Sequence, residues 1–294
     1  MIHLGIKSRV TRHLSYVRSA RVHGRAVRVP ILFGLGTANI GDTEPCVDAA
    51  FAAALKLCSG TFVDVGANLG QCLLKVKTLD EKRRYVGFEA SLFCSYYISR
   101  LIDENRFTDC LIIPRGLSDE EKVSRFYFSD SADPQGTTIP DFWTGDATRA
   151  SSQTVFLDQG DAAFERLGRP SVGILKIDVE GAELDVLKGF RETLLRERPL
   201  IIAEVLPYFE PVAGSSVGDR TSYEAKHARA SELRTFLEGA HYSCFRLQPG
   251  GNLEKTWDFT MERYDPFSSN YLFLADDGPV GIAKFASEYK SSMH

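Results

Sequence analysis

Several things are missing from this chain of 294 residues, and each absence removes a class of answer. No run approaches the roughly 18 apolar residues of a membrane-spanning helix. The longest candidate near the start, VPILFGLG, is short, broken by glycine, and lacks the flanks of a signal peptide. Paired metal-ligand spacings are also absent. The six cysteines, Cys46, Cys58, Cys72, Cys94, Cys110 and Cys244, stand singly, with no C-x-x-C and no histidine pair at ligand spacing. This pattern reads as reduced thiols in a cytoplasmic protein, several of them buried as small hydrophobes, with no metal centre. There is no internal repeat, no low-complexity linker and no G-x-G-x-x-G dinucleotide fingerprint. Residues 1–41 contain no acid at all but seven Lys or Arg, whereas the whole chain carries a net charge of −4. This basic start is a candidate contact for an anionic surface, membrane or nucleic acid, or simply a solvated arm. It gives no firm nucleic-acid signal.

What is present is an ordinary globular composition, 44% apolar and 25% charged, with room for one large domain or two small ones. Residues 20–33 alternate around His-Gly and predict a hairpin. Residues 45–58 predict a helix opening on a proline. From residue 61, strands and helices alternate. TFVDVG, RYVGFE, CLIIPRG, VGILKID and LIIAEV are strands, apolar on both faces. The helices between them fall at 70–79, 91–104 and about 182–196, and a later one at 227–239. Such a series predicts an α/β fold, a mostly parallel seven-stranded sheet with helices on both faces. The last two strands, HYSCFRL and NYLFLA, predict an antiparallel hairpin at its edge. Two segments, 119–170 and 206–226, exceed what a crossover needs. Both start at carboxyl ends of strands, where open α/β sheets bind ligands, so they are candidates for a lid and substrate pocket.

Acids terminate the strands. The first ends in Asp64 and the turn Gly66-Ala67-Asn68-Leu69-Gly70, the second in Glu89, the fourth in Asp178 with Glu180 and Glu183 behind it, and the fifth in Glu204. In a parallel sheet these ends share one edge, and a row of acids there needs a cationic or hydrogen-bonding companion. The glycine turn permits close backbone approach, and the following helix aims its amides at a ligand. Glu89 lies near the offset at which nucleotide folds place a ribose-binding acid. A cationic nucleoside suits both features, and S-adenosylmethionine is such a molecule.

The stretches FVDVGANLGQ, YVGFEAS, IIPRGLSDEE, LKIDVEGAELDVLKGF and LIIAEV together resemble the FkbM-type methyltransferases, over roughly residues 34–275. KIDVEGAELDVLKG is the most specific block. The resemblance implies a class I methyltransferase (Rossmann-like) domain at 34–294 preceded by a basic extension at 1–33. It implies S-adenosyl-L-methionine as cofactor and the hydroxyl of a sugar or natural product as acceptor. By position, Asp64, Gly66, Ala67, Asn68 and Gly70 match the cofactor turn, and Glu89 with Ala90 the ribose loop. Many members carry Pro where this chain has Ala90. Gly116, Leu117 and Ser118 match the region beside the adenine, and Asp178 and Glu180 the block beside the methyl group.

A hydroxyl acceptor must lose its proton during transfer, so Asp178 and Glu180 are the candidate catalytic acids, a paired carboxylate being a usable base. Glu180 could equally be a helix N-terminal acid, and Glu183 reads as first-turn stabilisation. Trp143, Glu204, Tyr208, Phe209 and His241 are candidate substrate contacts, with packing or surface roles open for each. Asp178, Glu180 and Glu204 are the one set that could hold a hard divalent cation, though no ligand spacing asks for it. Other readings are a binding module without turnover, an RNA-directed methyltransferase using the basic arm, or a nicotinamide oxidoreductase, which the missing fingerprint disfavours.

Overall fold

The computed structural model describes residues 15–41, 44–128, 136–139, 151–208, 217–260 and 269–293. The chain opens on a hairpin, β1 (Ser15–Val22) and β2 (Arg25–Leu32), joined through His23-Gly24. Both turn residues have positive φ, 47° and 74°, the geometry that matches a two-residue loop to the twist of its strands. The alternation that predicts this hairpin also gives it a buried face. Val27, Val29 and Ile31 join the main core, and the Tyr97 hydroxyl donates to the Pro30 carbonyl at 2.9 Å. The basic segment is therefore not a free appendage over these residues. Arg28 is paired with Glu104 at 3.1 Å and Arg25 with Glu81 at 3.8 Å.

The central sheet follows. Its strands are β3 (Thr61–Val65), β4 (Tyr85–Phe88), β5 (Cys110–Ile113), β10 (Val172–Ile177), β11 (Leu200–Glu204), β12 (Tyr242–Gln248), β13 (Asn252–Lys255) and β14 (Asn270–Ala275). Their order is β13-β12-β14-β11-β10-β3-β4-β5. The run from β11 to β5 is parallel, while β14 is antiparallel to both its neighbours. Two expectations change here. Among the described residues the sheet has eight strands rather than seven. The edge hairpin is β12–β13, because β14 inserts between β11 and β12. NYLFLA is buried at all six positions, so it needs a neighbour on both sides and an edge would not satisfy it.

Helices cover both faces. On one lie α1 (Pro45–Leu57), α2 (Gln71–Leu79), α3 (Leu92–Asn105) and the C-terminal α8 (Ile282–Ser292), with Phe51, Leu73, Ile98 and Phe285 in a single cluster. On the other lie α4 (Gly160–Arg166), α5 (Glu183–Gly189), α6 (Arg191–Glu197) and α7 (Val217–Gly239), whose Phe164, Leu187, Leu194 and Leu237 meet Val63, Leu175 and Phe273. The expected helix at 182–196 is two helices. Gly189 sits where a Cβ would collide with the Ser118 carbonyl, and Phe190 turns to φ −98°, ψ 17° to bury its ring. The expected loop at 206–226 is helix from Val217 onward.

The third expected strand stops at Ile113. Its last residue, Gly116, instead opens β6 (Gly116–Ser118), which among the described residues belongs to a second, four-stranded sheet with β7 (Lys122–Phe128), β8 (Gly136–Thr137) and β9 (Ser151–Gln159). The long 119–170 segment thus builds a small sheet beside the carboxyl edge of the large one.

Candidate functional site

The carboxyl ends of β3, β4 and β10 meet in a cleft enclosing about 640 Å³ of space open to solvent. Its floor comes from three turns. After β3, Gly66 at φ 82° lets the chain pass so close to β10 that a Cβ would strike the Asp178 carbonyl. Asn68 follows at φ 48°, and Gly70 at φ 76° starts α2. After β4, Glu89 and Ala90 line the wall. After β10, Asp178, Val179, Glu180 and Ala182 close it. Gly116 and Leu117 supply the apolar side. Phe126, Gly136, Thr138 and Leu157, from the second sheet and its margin, line it as well.

Glu89 is almost wholly buried, and backbone amides hold its carboxylate. The Asn68 amide donates to Oε2 and the Ser91 amide to Oε1, each at 2.7 Å. Burial pushes its pKa up to about 7, against the pull of those two bonds. Ser91 also caps α3, accepting from the Cys94 amide. Glu180 has φ 51°, a left-handed conformation uncommon for any residue other than glycine, and its carbonyl accepts from the Thr137 hydroxyl at 2.8 Å. Burial, then the charges of Asp178, Glu204 and Glu183, raise its pKa to about 8. Glu183 accepts from the Gly181 amide at 2.8 Å, which fits the expected helix-start role.

Beneath the cleft lies a buried polar layer built on Lys176, a residue with no role among the sequence-based expectations. Lys176, 3% exposed, reaches Asp178 at 3.2 Å. Burial opposes its charge, but Asp178, Cys72, Glu204 and Asp64 together hold it protonated. Asp64 is fully buried. It takes the Tyr85 hydroxyl on Oδ2 and leaves Oδ1 without a hydrogen-bond partner among the described residues, and its pKa rises to about 6 through burial. A signal for Lys176 existed. A lysine inside ILKID, on a strand apolar on both faces, must be buried and must find acids.

The expected residues are not all on the wall. Gly66, Asn68, Glu89, Ala90, Gly116, Leu117, Asp178 and Glu180 line the cleft. Asp64, Ala67 and Gly70 lie just behind it, in the core and the helix start. Ser118 is buried and donates to Asp119. Glu204 sits beside Lys176 and Asp178, accepts from Ser269 at 2.9 Å, and is raised to about 7 by burial first. Tyr208 lines a different cavity, with Tyr223 and His227. His241 is exposed in the turn before β12, where Tyr242 pairs with Ala275 at the edge opposite the cleft, so it does not meet the other candidates. Trp143 and Phe209 fall outside the described residues. Among the described residues, no three His, Cys, Asp or Glu side chains converge as a metal site.

The chain is similar to several known proteins. A curated relative, the AMB antimetabolite synthetase AmbE of Pseudomonas aeruginosa, is 25% identical over 225 residues, 64% of this chain. The chain spans only 10% of that relative's length. Among solved structures, a methyltransferase FkbM from Methylobacillus flagellatus aligns with 73% of this chain and 43% of its own, at 14% identity and TM-score 0.43. A SAM-dependent O-methyltransferase from Thermotoga maritima aligns with 87% of this chain and 76% of its own, at 10% identity and TM-score 0.38. Both structural likenesses are too slight to carry weight. The sequence model of the FkbM methyltransferase domain carries it, matching residues 64–244, which include the β3 turn, Glu89 and the DVEGAE block. That model covers more than half of the chain, which therefore belongs to the FkbM methyltransferase family, a family that uses S-adenosyl-L-methionine.

Proposed function

We propose that this protein methylates a hydroxyl group on a sugar or natural product, with Glu180 taking the acceptor's proton. The observation that carries the reading is the conjunction in one cleft of a rigidly held ribose-type acid, Glu89, and a raised carboxylate, Glu180.

The residues fit the cofactor. Each Glu89 oxygen accepts one backbone amide, which leaves lone pairs free for the two ribose hydroxyls. Gly66 and Asn68 expose backbone where the amino-acid end of the ligand would lie, and Ala90, Gly116 and Leu117 offer an apolar seat for adenine. Around Lys176 stand Asp64, Asp178, Glu180 and Glu204, an excess of acid that a cationic ligand relieves. Bound there, S-adenosylmethionine supplies an electrophilic methyl group on a positively charged sulfur.

The chain's own contribution is orientation and proton acceptance. Glu180 in its carboxylate form receives the hydroxyl proton. Asp178, anchored by Lys176, fixes the field in which it does so. A cationic ligand held in the cleft would lower the pKa of Glu180 from about 8 and so make the base available near neutrality. A natural-product acceptor also accords with the relative named as an antimetabolite synthetase. An RNA acceptor draws less support, since two arginines of the basic segment are already paired with acids.

The test is transfer of labelled methyl from S-adenosylmethionine to a panel of glycosides and hydroxylated metabolites. Glu180→Gln should lower kcat by about 10²–10⁴, the usual worth of a general base, while cofactor affinity stays within a few fold. An unchanged rate removes Glu180 from the role. Cofactor binding with no transfer to any hydroxyl favours a module without turnover.

A further inference from the structure

A second cavity, enclosing about 1140 Å³ of space open to solvent, lies on the far side of α7 from the cleft. Arg229 of α7 faces the cleft side, donating to the Gly181 carbonyl and to Asp185, both at 2.7 Å. His227, Ala230, Ser231 and Arg234, which follow one stripe of the helix, line the cavity instead. The opposite wall is the segment Lys255 to Thr260 after β13. Tyr208 joins Thr260 by a β-bridge four residues beyond Glu204, so the cavity opens at the same rim as the acids.

Its lining has a definite chemistry. Tyr208, Tyr223 and His227 form an aromatic corner, with ring centres 5.6 Å to 5.8 Å apart, and Trp257 adds a fourth ring. Hydroxyls of Ser231, Thr256 and Thr260 stand among them. Arg234 is shared with Glu238, and the acid among the described wall residues, Asp258, accepts the Thr260 amide and hydroxyl on Oδ1 at 2.8 Å and 2.6 Å. The Lys255 side chain is exposed on the wall, which it shares with a neighbouring cavity, and its ammonium has no hydrogen-bond or ion-pair partner among the described residues. Aromatic faces suit the C–H face of a pyranose, hydroxyls suit its edge, and an unpaired ammonium suits an anionic substituent.

We propose that this cavity binds an anionic pyranose, a sugar carrying a phosphate or a carboxylate. It would serve as the distal subsite of the methyl acceptor. That second role rests on the methylation reading above, whereas the binding itself does not.

The chain has two tryptophans, so Trp143→Phe leaves Trp257 as the sole reporter. Its fluorescence is titrated with glucose 6-phosphate, glucuronate, glucose, inorganic phosphate and AMP, and calorimetry on the unaltered chain reads the same binding without the substitution. The expected result is saturation by glucose 6-phosphate or glucuronate at concentrations at least tenfold below those needed for glucose or phosphate. Whichever of the two binds more tightly identifies the anion. Lys255→Gln should weaken that binding by roughly tenfold or more, as loss of a charge-assisted bond does, and leave S-adenosylmethionine affinity unchanged. The proposal is overturned if neither sugar saturates, if all probes respond alike, if AMP binds more tightly than both sugars, or if Lys255→Gln changes nothing. Sugar binding without methyl transfer keeps the site and discards only its link to the reaction.

Discussion

Lys176 shows how one side chain governs the site from below it. A buried ammonium is tolerated because acids surround it, and they depend on it in turn. Lys176→Met should therefore destabilise the protein by about 3–5 kcal/mol at pH 7, the cost of breaking a buried pair from one side. The loss should shrink at pH 5, where Asp64, raised to about 6, and Glu204, raised to about 7, are protonated and no longer need a counter-charge. Urea denaturation at the two pH values checks this, and equal losses would contradict it. Glu89 acts on the ligand side. Glu89→Ala should weaken S-adenosylmethionine binding by about 1–3 kcal/mol, the cost of leaving buried hydrogen-bonding groups unpaired. Calorimetry measures this directly. The strand-end acids were legible in the sequence because a parallel sheet gathers strand ends at one edge. Which acids line the wall and which sit behind it was not, since Asp64 and Gly66, two residues apart, differ only in how the β3 turn rotates them.

At the level of elements, the breaks matter as much as the helices. The periodicity over 182–196 is continuous, yet the chain divides at Gly189 because β6 passes underneath. Gly189→Ala would drive a methyl group into the Ser118 carbonyl. It should cost about 1–3 kcal/mol, as overpacking does, and disturb the cleft wall at Gly116 and Leu117 through β6. Thermal melts, alone and with the demethylated cofactor product, would show both effects. The N-terminal hairpin makes the opposite point. Its charge suggested an appended arm, while its alternation gave it a face that belongs to the core. Deleting residues 1–33 removes the buried Val27, Val29 and Ile31, each worth about 1.5–3 kcal/mol. Stability should fall by several kcal/mol, a large part of the margin of a typical domain. An unchanged melting temperature would show that the hairpin only decorates the fold.

For the molecule as a whole, the acidic rim predicts how stability responds to pH. Asp64, Glu89, Glu180, Glu183 and Glu204 all have pKa values raised in the folded state, to about 6, 7, 8, 7 and 7. A raised acid binds more protons folded than unfolded, so its stabilising contribution is complete below the unfolded value near 4–4.5. It is lost as pH climbs through the folded value. The ligand-free protein should therefore lose stability between about pH 4.5 and pH 8. A cationic cofactor favours the ionised acids, so saturation with S-adenosylmethionine should flatten that decline and release protons on binding near pH 7. Melting curves across pH, and calorimetry in buffers of different ionisation enthalpy, read the two effects. Rising stability over that window without ligand would refute the reading.

The sequence by itself determined the βα rhythm, the parallel core of the sheet and the edge at which the acids gather. Each depends on local propensity or on the fixed direction of parallel strands. It also carried the family, through the β3 turn and the DVEGAE block. The tertiary structure decided where β14 inserts, where the long helix breaks, and that α7 parts the cleft from a second cavity. It also buried Lys176 among the acids and turned His241 to the far edge. Those outcomes depend on which surfaces meet across long sequence separations, and no window along the chain contains both partners of such a contact.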